Sequence, residues 1–357
     1  MIKIKKIFIS LLPVRFGGAG EYLHEINKEY LDYIKVITPN IFKKFRIVNR
    51  VIIIILSNIL KYILKIFVNF VSINNLVIYH QQSIGYDLVA KLINKSKKIK
   101  FFVLDTNFFC KKSYNEYNDK ICFVCYEKFK PYSDCYHHPY NSENDEGYKK
   151  FLKTLEINMH KIEFIVQTEG YSELIKKKFN KSKVQLKKMH HEKLKNLSYK
   201  VDKNLNELKY DFFFHAHLTP PKGINYFYKL TNRMPNKKFF LPSHKKNYGP
   251  NNNISFKKIY WGEEFMDTIE NSKIILCPSI WTYPVESAVI KSLFMKKAVA
   301  IINNKYSFSE VIPDDCIIKL TGNLNEDIII LSNILSNKRY YDFGKKGYDW
   351  VTTYLKI

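Results

Sequence analysis

The sequence predicts an α/β protein of two doubly wound, Rossmann-like domains facing a cleft, and three observations carry that reading. Short apolar runs rich in β-branched and aromatic residues recur along the chain, as strands buried on both faces do. Segments with apolar residues at helical spacing fill the intervals between them, which is the alternation of a parallel sheet covered by helices. A polar, Lys- and Asn-rich stretch over 192–208 divides the 357 residues into halves, each long enough to bury a core.

In the first half, strands are expected at Lys5–Leu12, Leu76–His80, Ile99–Asp105 and Glu163–Thr168, with helices at Ala19–Tyr30, Tyr86–Asn94 and Glu169–Phe179. In the second half, strands are expected at Tyr210–His215, Lys238–Pro242, Lys273–Cys277, Ala298–Asn303 and Cys316–Leu320. Helices there read as Gly223–Arg233, Pro284–Met295 and Asn325–Ser336. The domains accordingly run 1–195 and 205–340, and 341–357 forms a C-terminal helix placed to pack back on the first domain. Met1–Leu12 carries lysines and an apolar stretch, but it is short, runs into Arg15 and has no small-residue cleavage site, so it reads as a strand and not a secretory signal. The expected compartment is the cytoplasm.

Composition excludes disorder and collagen, since 46% of residues are apolar and only 12 are Gly and 12 Pro. The net charge of +25 is uneven: residues 1–200 hold 36 Lys or Arg against 18 Asp or Glu, and residues 201–357 hold 22 against 15. A polyanionic partner on the first half explains this, and so does a composition biased toward Lys, Ile and Asn. Lysines cluster from Lys91 to Lys100 and from Lys176 to Lys200, where aromatic residues are sparse. With no RNA- or DNA-binding signature present, phospholipid or a lipid-linked diphosphate fits better than nucleic acid.

Val51–Ser72 is almost wholly apolar and long enough to span a bilayer at about 1.5 Å per residue. Lys61 and Lys65 near its middle each cost about 2.5–3.5 kcal/mol, so it is not read as transmembrane. Asn58, Lys61, Lys65, Asn69 and Ser72 recur at steps of three and four and draw one polar stripe. Two arrangements fit: burial against the sheet with the stripe in water, or a place in a membrane interface with the lysines at the headgroups. Lys43, Lys44, Arg46 and Arg50 lie just upstream, and the expectation is reversible, peripheral attachment to an anionic membrane, on its inner face.

The ends of the strands hold the candidate chemistry. Phe16-Gly17-Gly18-Ala19-Gly20-Glu21 follows the first strand, and three glycines in four residues let the backbone approach a ligand, without the spacing of the dinucleotide fingerprint. After the strand at Tyr210, His217 and Lys222-Gly223 stand at a helix start, where a cation opposes the macrodipole unless an anion sits between them. Further on, Pro278-Ser279-Ile280-Trp281 leads into a helix with Pro284 in its first turn and Glu286 suited to its dipole. Four cysteines, Cys110, Cys122, Cys125 and Cys135, precede His137 and His138. Their spacing leaves open a structural zinc site, separately buried thiols or a disulfide.

The order of these pieces resembles the GT-B glycosyltransferases, most closely the retaining enzymes of glycosyltransferase family 4. Gly17-Gly18 is similar to that family's glycine loop. Leu218, Lys222 and Gly223 match its G-R-L-x-x-x-K-G, Pro278-Ser279-Ile280-Trp281 matches its P-S-x-W, and Glu310-Val311-Ile312 matches the segment after the next strand. Some members carry a cysteine cluster where this chain has Cys110 to Cys135. The departures are that His217 stands for the family's phosphate-binding Arg, and that Tyr283 and Lys291 replace its pair of glutamates. A strand-end His of many members aligns with Leu104, beside Asp105.

The resemblance implies transfer of a sugar from a nucleotide-sugar donor to a glycan or lipid-linked acceptor in cell-surface polysaccharide synthesis, with retention and no essential metal. Donor contacts would fall to His217, Lys222, Gly223, Ser279, Tyr283, Glu286, Lys291 and Glu310, acceptor or phosphate contacts to Gly17 and Gly18, and catalysis to Asp105 and Glu286. The alternative is a catalytically degenerate subunit that binds a glycan or a partner enzyme, supported by the lost glutamate pair.

Overall fold

The computed structural model describes residues 2–12, 17–38, 46–127, 143–188, 208–243, 252–259 and 262–355. The chain divides into two compact units. The first takes Met1–Ser113 and Phe123–His190, and the second takes Tyr114–Cys122 and His191–Ile357. The stretch expected as a linker, 192–208, lies almost wholly outside the described residues.

The first unit contains β1 (Ile2–Ser10), α1 (Gly17–Ile26), β2 (Ile34–Ile37), α2 (Arg46–Phe67), β3 (Val71–Ile78), α3 (Gln81–Ile84), α4 (Tyr86–Asn94) and β4 (Ser96–Phe102). After the excursion of the chain into the second unit, where β5 (Glu116–Tyr117) and β6 (Lys120–Ile121) form a hairpin, come α5 (Val124–Glu127), α6 (Glu143–Ile157), β7 (Ile162–Val166), α7 (Glu169–Lys178) and β8 (Lys183–Leu186). Six strands make one parallel sheet in the order β2-β1-β3-β4-β7-β8. Local chemistry sets the boundaries: Thr168 caps α7 by accepting from the Tyr171 amide at 3.3 Å, Glu169 sits in its first turn, and Lys176 to Lys178 close its last turn.

The second unit contains β9 (Tyr210–Phe214), α8 (Ile224–Arg233), β10 (Phe239–Leu241), β11 (Ile254–Phe256), α9 (Glu263–Glu270), β12 (Ser272–Leu276), α10 (Ser287–Phe294), β13 (Ala298–Ile302), β14 (Ile318–Leu320), α11 (Leu324–Ser336) and α12 (Tyr340–Leu355). Its sheet is also six-stranded and parallel, ordered β11-β10-β9-β12-β13-β14. The Phe212-Phe213-Phe214 run feeds both faces at the strand period of two: Phe213 packs in one core layer, Phe212 and Phe214 in the other.

Several expectations are revised. The segment 114–122 belongs to the second unit and not to a first domain of 1–195. The C-terminal helix α12 buries Val351, Tyr354 and Leu355 in the second unit's core. It lies close because Gly344 has no side chain, a Cβ there standing 2.3 Å from the Lys296 carbonyl. Helix α2 ends at Phe67 and β3 begins at Val71, so Asn69 and Ser72 do not extend a helical stripe. Gly17 and Gly18 form the first turn of α1, where a preceding loop was expected. No helix among the described residues is long and apolar enough to cross a membrane.

In each six-stranded sheet the strand order reverses beside that sheet's first strand, between β1 and β3 and between β9 and β12. A doubly wound sheet leaves its ligand crevice there, at the carboxyl ends of the strands.

Candidate functional site

In the second unit that reversal point is built from the segments after β9 and β12. The chain leaving β9 makes a short 3-10 turn over Pro220–Lys222. Gly223 follows in the left-handed region, with φ 80°, and a Cβ on it would lie 2.0 Å from the Pro278 carbonyl oxygen. Only glycine satisfies both demands. The close approach lets Ile280 N–H donate to the Pro221 carbonyl at 2.9 Å, which locks the two loops together.

Lys222 turns inward as a result and is 7% exposed. Its Nζ donates to Glu286 Oε2 at 2.6 Å, and Ser279 Oγ donates to the same oxygen at 3.1 Å. The anion that Lys222 calls for is therefore a carboxylate of the same unit. The Nζ also lies 4.9 Å from the centre of the Trp281 ring and 5.8 Å from that of Tyr114, a cation held by one carboxylate and two aromatic groups. Glu286 occupies the N-cap position of α10 yet makes no capping bond with its side chain, because its carboxylate is committed to Lys222 and Ser279. Pro284 precedes the helix and does not stand in its first turn.

The hairpin β5–β6 completes this wall. Asn118 and Asp119, both with positive φ, make its two-residue turn, and such a turn matches the twist of the flanking strands. Asp119 accepts from Asn225 at 2.7 Å and from Lys229 at 3.0 Å on α8. The Asn115 amide nitrogen donates to Thr282 Oγ1 at 2.9 Å, and its oxygen accepts from Thr282 N–H at 2.7 Å. Tyr114 meets Trp281 edge to face, with ring centres 4.6 Å apart.

The other expected donor residues divide. His217 is exposed on the turn after β9; desolvation lowers its pKa, as does Lys222, while Glu286 acts the opposite way. His215 is paired with Ser292 Oγ at 2.8 Å, and burial, then Lys291 and His217, push its pKa down to about 3, so the ring is neutral at physiological pH. Lys291 thus contributes to the field at the site from α10. Tyr283 is fully buried in the core, and burial raises its pKa. Glu310 accepts from the Tyr306 N–H at 2.8 Å and serves its own turn. Of the predicted set, Lys222, Gly223, Ser279 and Glu286 come together. Tyr114, Asn115 and Thr282 were not anticipated, although Tyr117-Asn118-Asp119-Lys120 carries a hairpin signal.

In the first unit Asp105 follows β4 and caps a short turn, its Oδ1 accepting from Asn107 N–H at 2.9 Å. Burial pushes its pKa up to about 7, against the opposing effect of that bond. The Asn107 side-chain oxygen accepts from Tyr86 at 3.0 Å and from Gln81 at 3.4 Å, and the Asn107 carbonyl accepts from Tyr148 at 2.8 Å, forming one buried polar cluster. Tyr79 OH donates to the Ala19 carbonyl at 2.6 Å and ties the glycine-rich start of α1 to the end of β3. Cys110 and Cys125 are buried in the first unit and Cys122 in the second; Cys135, His137 and His138 fall outside the described residues. Among the described residues no three His, Cys, Asp or Glu side chains are grouped to hold a metal ion.

No family model matches the chain, and no curated protein matches it by sequence. Solved structures do match. A sucrose-phosphate synthase of Thermosynechococcus elongatus superposes with a TM-score of 0.63 at 10% identity, over 99% of this chain and 94% of that one. The HepE protein of Anabaena, solved in complex with UDP-glucose, gives 0.60 at 10% identity over 99% and 95%. A glycosyltransferase of Rickettsia africae gives 0.51 at 14% over 99% and 93%. The fold of this chain is that of the GT-B glycosyltransferases.

Proposed function

We propose that the chain transfers a sugar from a nucleotide-sugar donor, bound by the second unit, to a glycan or lipid-linked acceptor bound by the first. The observation that carries this reading is the buried Lys222–Glu286 pair at the strand-order reversal of a GT-B sheet. When the donor bond breaks, negative charge collects on the departing diphosphate, and a preorganised cation in a dry site stabilises it without a metal. The arriving diphosphate draws Lys222 away from Glu286. One anion replaces another, and the released carboxylate is left to accept from the sugar hydroxyls. Ser279 steadies that carboxylate, and His217 donates to a phosphate oxygen. Asp105, poised near neutrality by burial, orients the acceptor hydroxyl. The anomeric configuration is retained. The UDP-glucose complex of the Anabaena protein supports the donor class.

Calorimetric titration with UDP-, GDP- and CMP-sugars, followed by a donor screen read by product mass spectrometry, tests the reading. Binding of one donor class and a sugar-bearing product support it. A second reading, a binding subunit without catalysis, draws on Tyr283 being buried and Lys291 standing where the resemblance expects an acid. Absence of nucleotide binding at millimolar concentration decides for that second reading.

A further inference from the structure

Helix α2 is amphipathic in an unusual sense: its outer face is apolar. Ile55, Ile59, Tyr62, Ile63 and Ile66, with Phe70 just beyond the helix, are between 49% and 67% exposed. At about 100° per residue the five helical positions fall on one arc of roughly 100°, while Leu64 turns inward and is buried, as is Val68 just beyond the helix. The patch does not end with the helix. Ile2, itself exposed, donates its N–H to the Phe70 carbonyl at 2.8 Å and carries the apolar surface onto the start of β1. Large contiguous apolar surface of this kind marks an interaction site.

The charge around it selects the partner. Between Asp32 and Asp87 the sequence holds seven Lys or Arg and no acidic residue. Exposed Lys65 and Asn58 border one side of the apolar arc, and Lys3 and Lys5 are exposed beside Ile2. A protein partner would need acidic groups set against these positions, whereas an anionic lipid surface supplies both an apolar layer and a diffuse negative charge at the depth where flanking lysines end.

We propose that the outer face of α2, continued by Phe70 and Ile2, is a docking surface for an anionic lipid bilayer, with the helix lying in the interface and Lys65 at the headgroups. This goes beyond the proposed sugar transfer and does not depend on it.

The test is flotation of the full chain with vesicles of phosphatidylcholine alone or with about 30% phosphatidylglycerol, at low and high salt. The expected result is binding to the anionic vesicles only, weakened by salt, and reduced about tenfold or more in Ile59→Ser/Ile63→Ser. Because both isoleucines are about half exposed, that variant keeps its melting temperature and its nucleotide affinity, which separates this result from failure of the functional reading. Lack of binding to anionic vesicles at low salt overturns the proposal, as does binding that the isoleucine variant leaves unchanged. A self-association abolished by the same variant, without vesicle binding, assigns the face to a second copy of the chain instead.

Discussion

Asn115 and Thr282 stand 167 residues apart and exchange two hydrogen bonds, the amide of one reading both the backbone N–H and the hydroxyl of the other. All of these atoms belong to buried residues. A segment from the first half of the chain thereby fixes the loop that carries Trp281 against Lys222.

Asn115→Ala removes the acceptor of the Thr282 N–H and the donor to the Cys122 carbonyl, bonds of 2.7 and 3.0 Å. At about 1–3 kcal/mol for each of these two buried groups, the expected loss is about 2–6 kcal/mol. Urea unfolding measures it, and hydrogen exchange at the Thr282 amide should accelerate along with it. Protection unchanged in the variant contradicts the assignment.

Lys222→Ala strands a buried carboxylate and should cost about 3–5 kcal/mol, whereas Lys222→Met/Glu286→Gln removes both charges and should recover most of that loss. The double variant should be folded and still fail to bind the nucleotide-sugar. Glu286→Gln alone should lower catalytic efficiency roughly ten- to a hundred-fold, the worth of a charged hydrogen bond to the sugar. Calorimetry on the three proteins separates a binding role from a merely structural one: donor affinity intact in the double variant would reduce the pair to a core ion pair.

Two glycines offer an internal control. Gly223 and Gly322 have nearly the same φ, 80° and 83°, but a Cβ at Gly322 meets only Ile302 at 3.6 Å. Gly322→Ala should cost about 1–2 kcal/mol, the conformational term alone. Gly223→Ala adds a collision with the Pro278 carbonyl and should cost about 2–5 kcal/mol. Equal losses in thermal melts would argue against the close approach.

Burial raises Asp105 from the usual carboxylate range to about 7, so the folded protein keeps a proton there that the unfolded chain has already lost. Stability contributed by Asp105 is therefore greatest at acid pH and declines from about pH 4 to about pH 7, at up to about 1.4 kcal/mol per pH unit. His80 and His215, lowered by burial to about 4 and about 3, act in the opposite direction over the acid range, gaining stability as pH rises toward about 6.5. Asp105→Asn keeps the N-cap and removes the titration. Subtracting its stability profile from that of the parent should leave the Asp105 slope, and a flat difference would show that the carboxyl titrates normally.

Central strands were legible because residues buried on both faces write continuous apolar runs, as in Phe212 to Phe214 and Ala298 to Ile302. The edge strands β2, β8 and β11 were not. They are three or four residues long and carry exposed positions, and Lys183 to Leu186 lies inside a lysine run that reads as solvated surface. Within the site, Lys222 declared itself through its conflict with the helix dipole, and Gly223 only through the family resemblance. Lys222 and Glu286 are 64 residues apart, and only the packing of two loops brings them together. The hairpin was hidden by its neighbours: Cys110, Cys122 and Cys125 drew the reading toward thiol chemistry, while the two-residue turn at Asn118-Asp119 held the structural information.

Translation meets this hairpin in an awkward order. At about 5–20 residues per second, the 167 residues from Asn115 to Thr282 take on the order of 10–30 s to emerge. Throughout that interval Asn115 is made and the loop that holds Thr282 is not. The second unit thus closes only after its loops are synthesised and come back to a piece delivered long before. A fragment beginning at residue 191 would be born without that piece, leaving Trp281 and Thr282 exposed to the chaperones and proteases that survey unfinished chains.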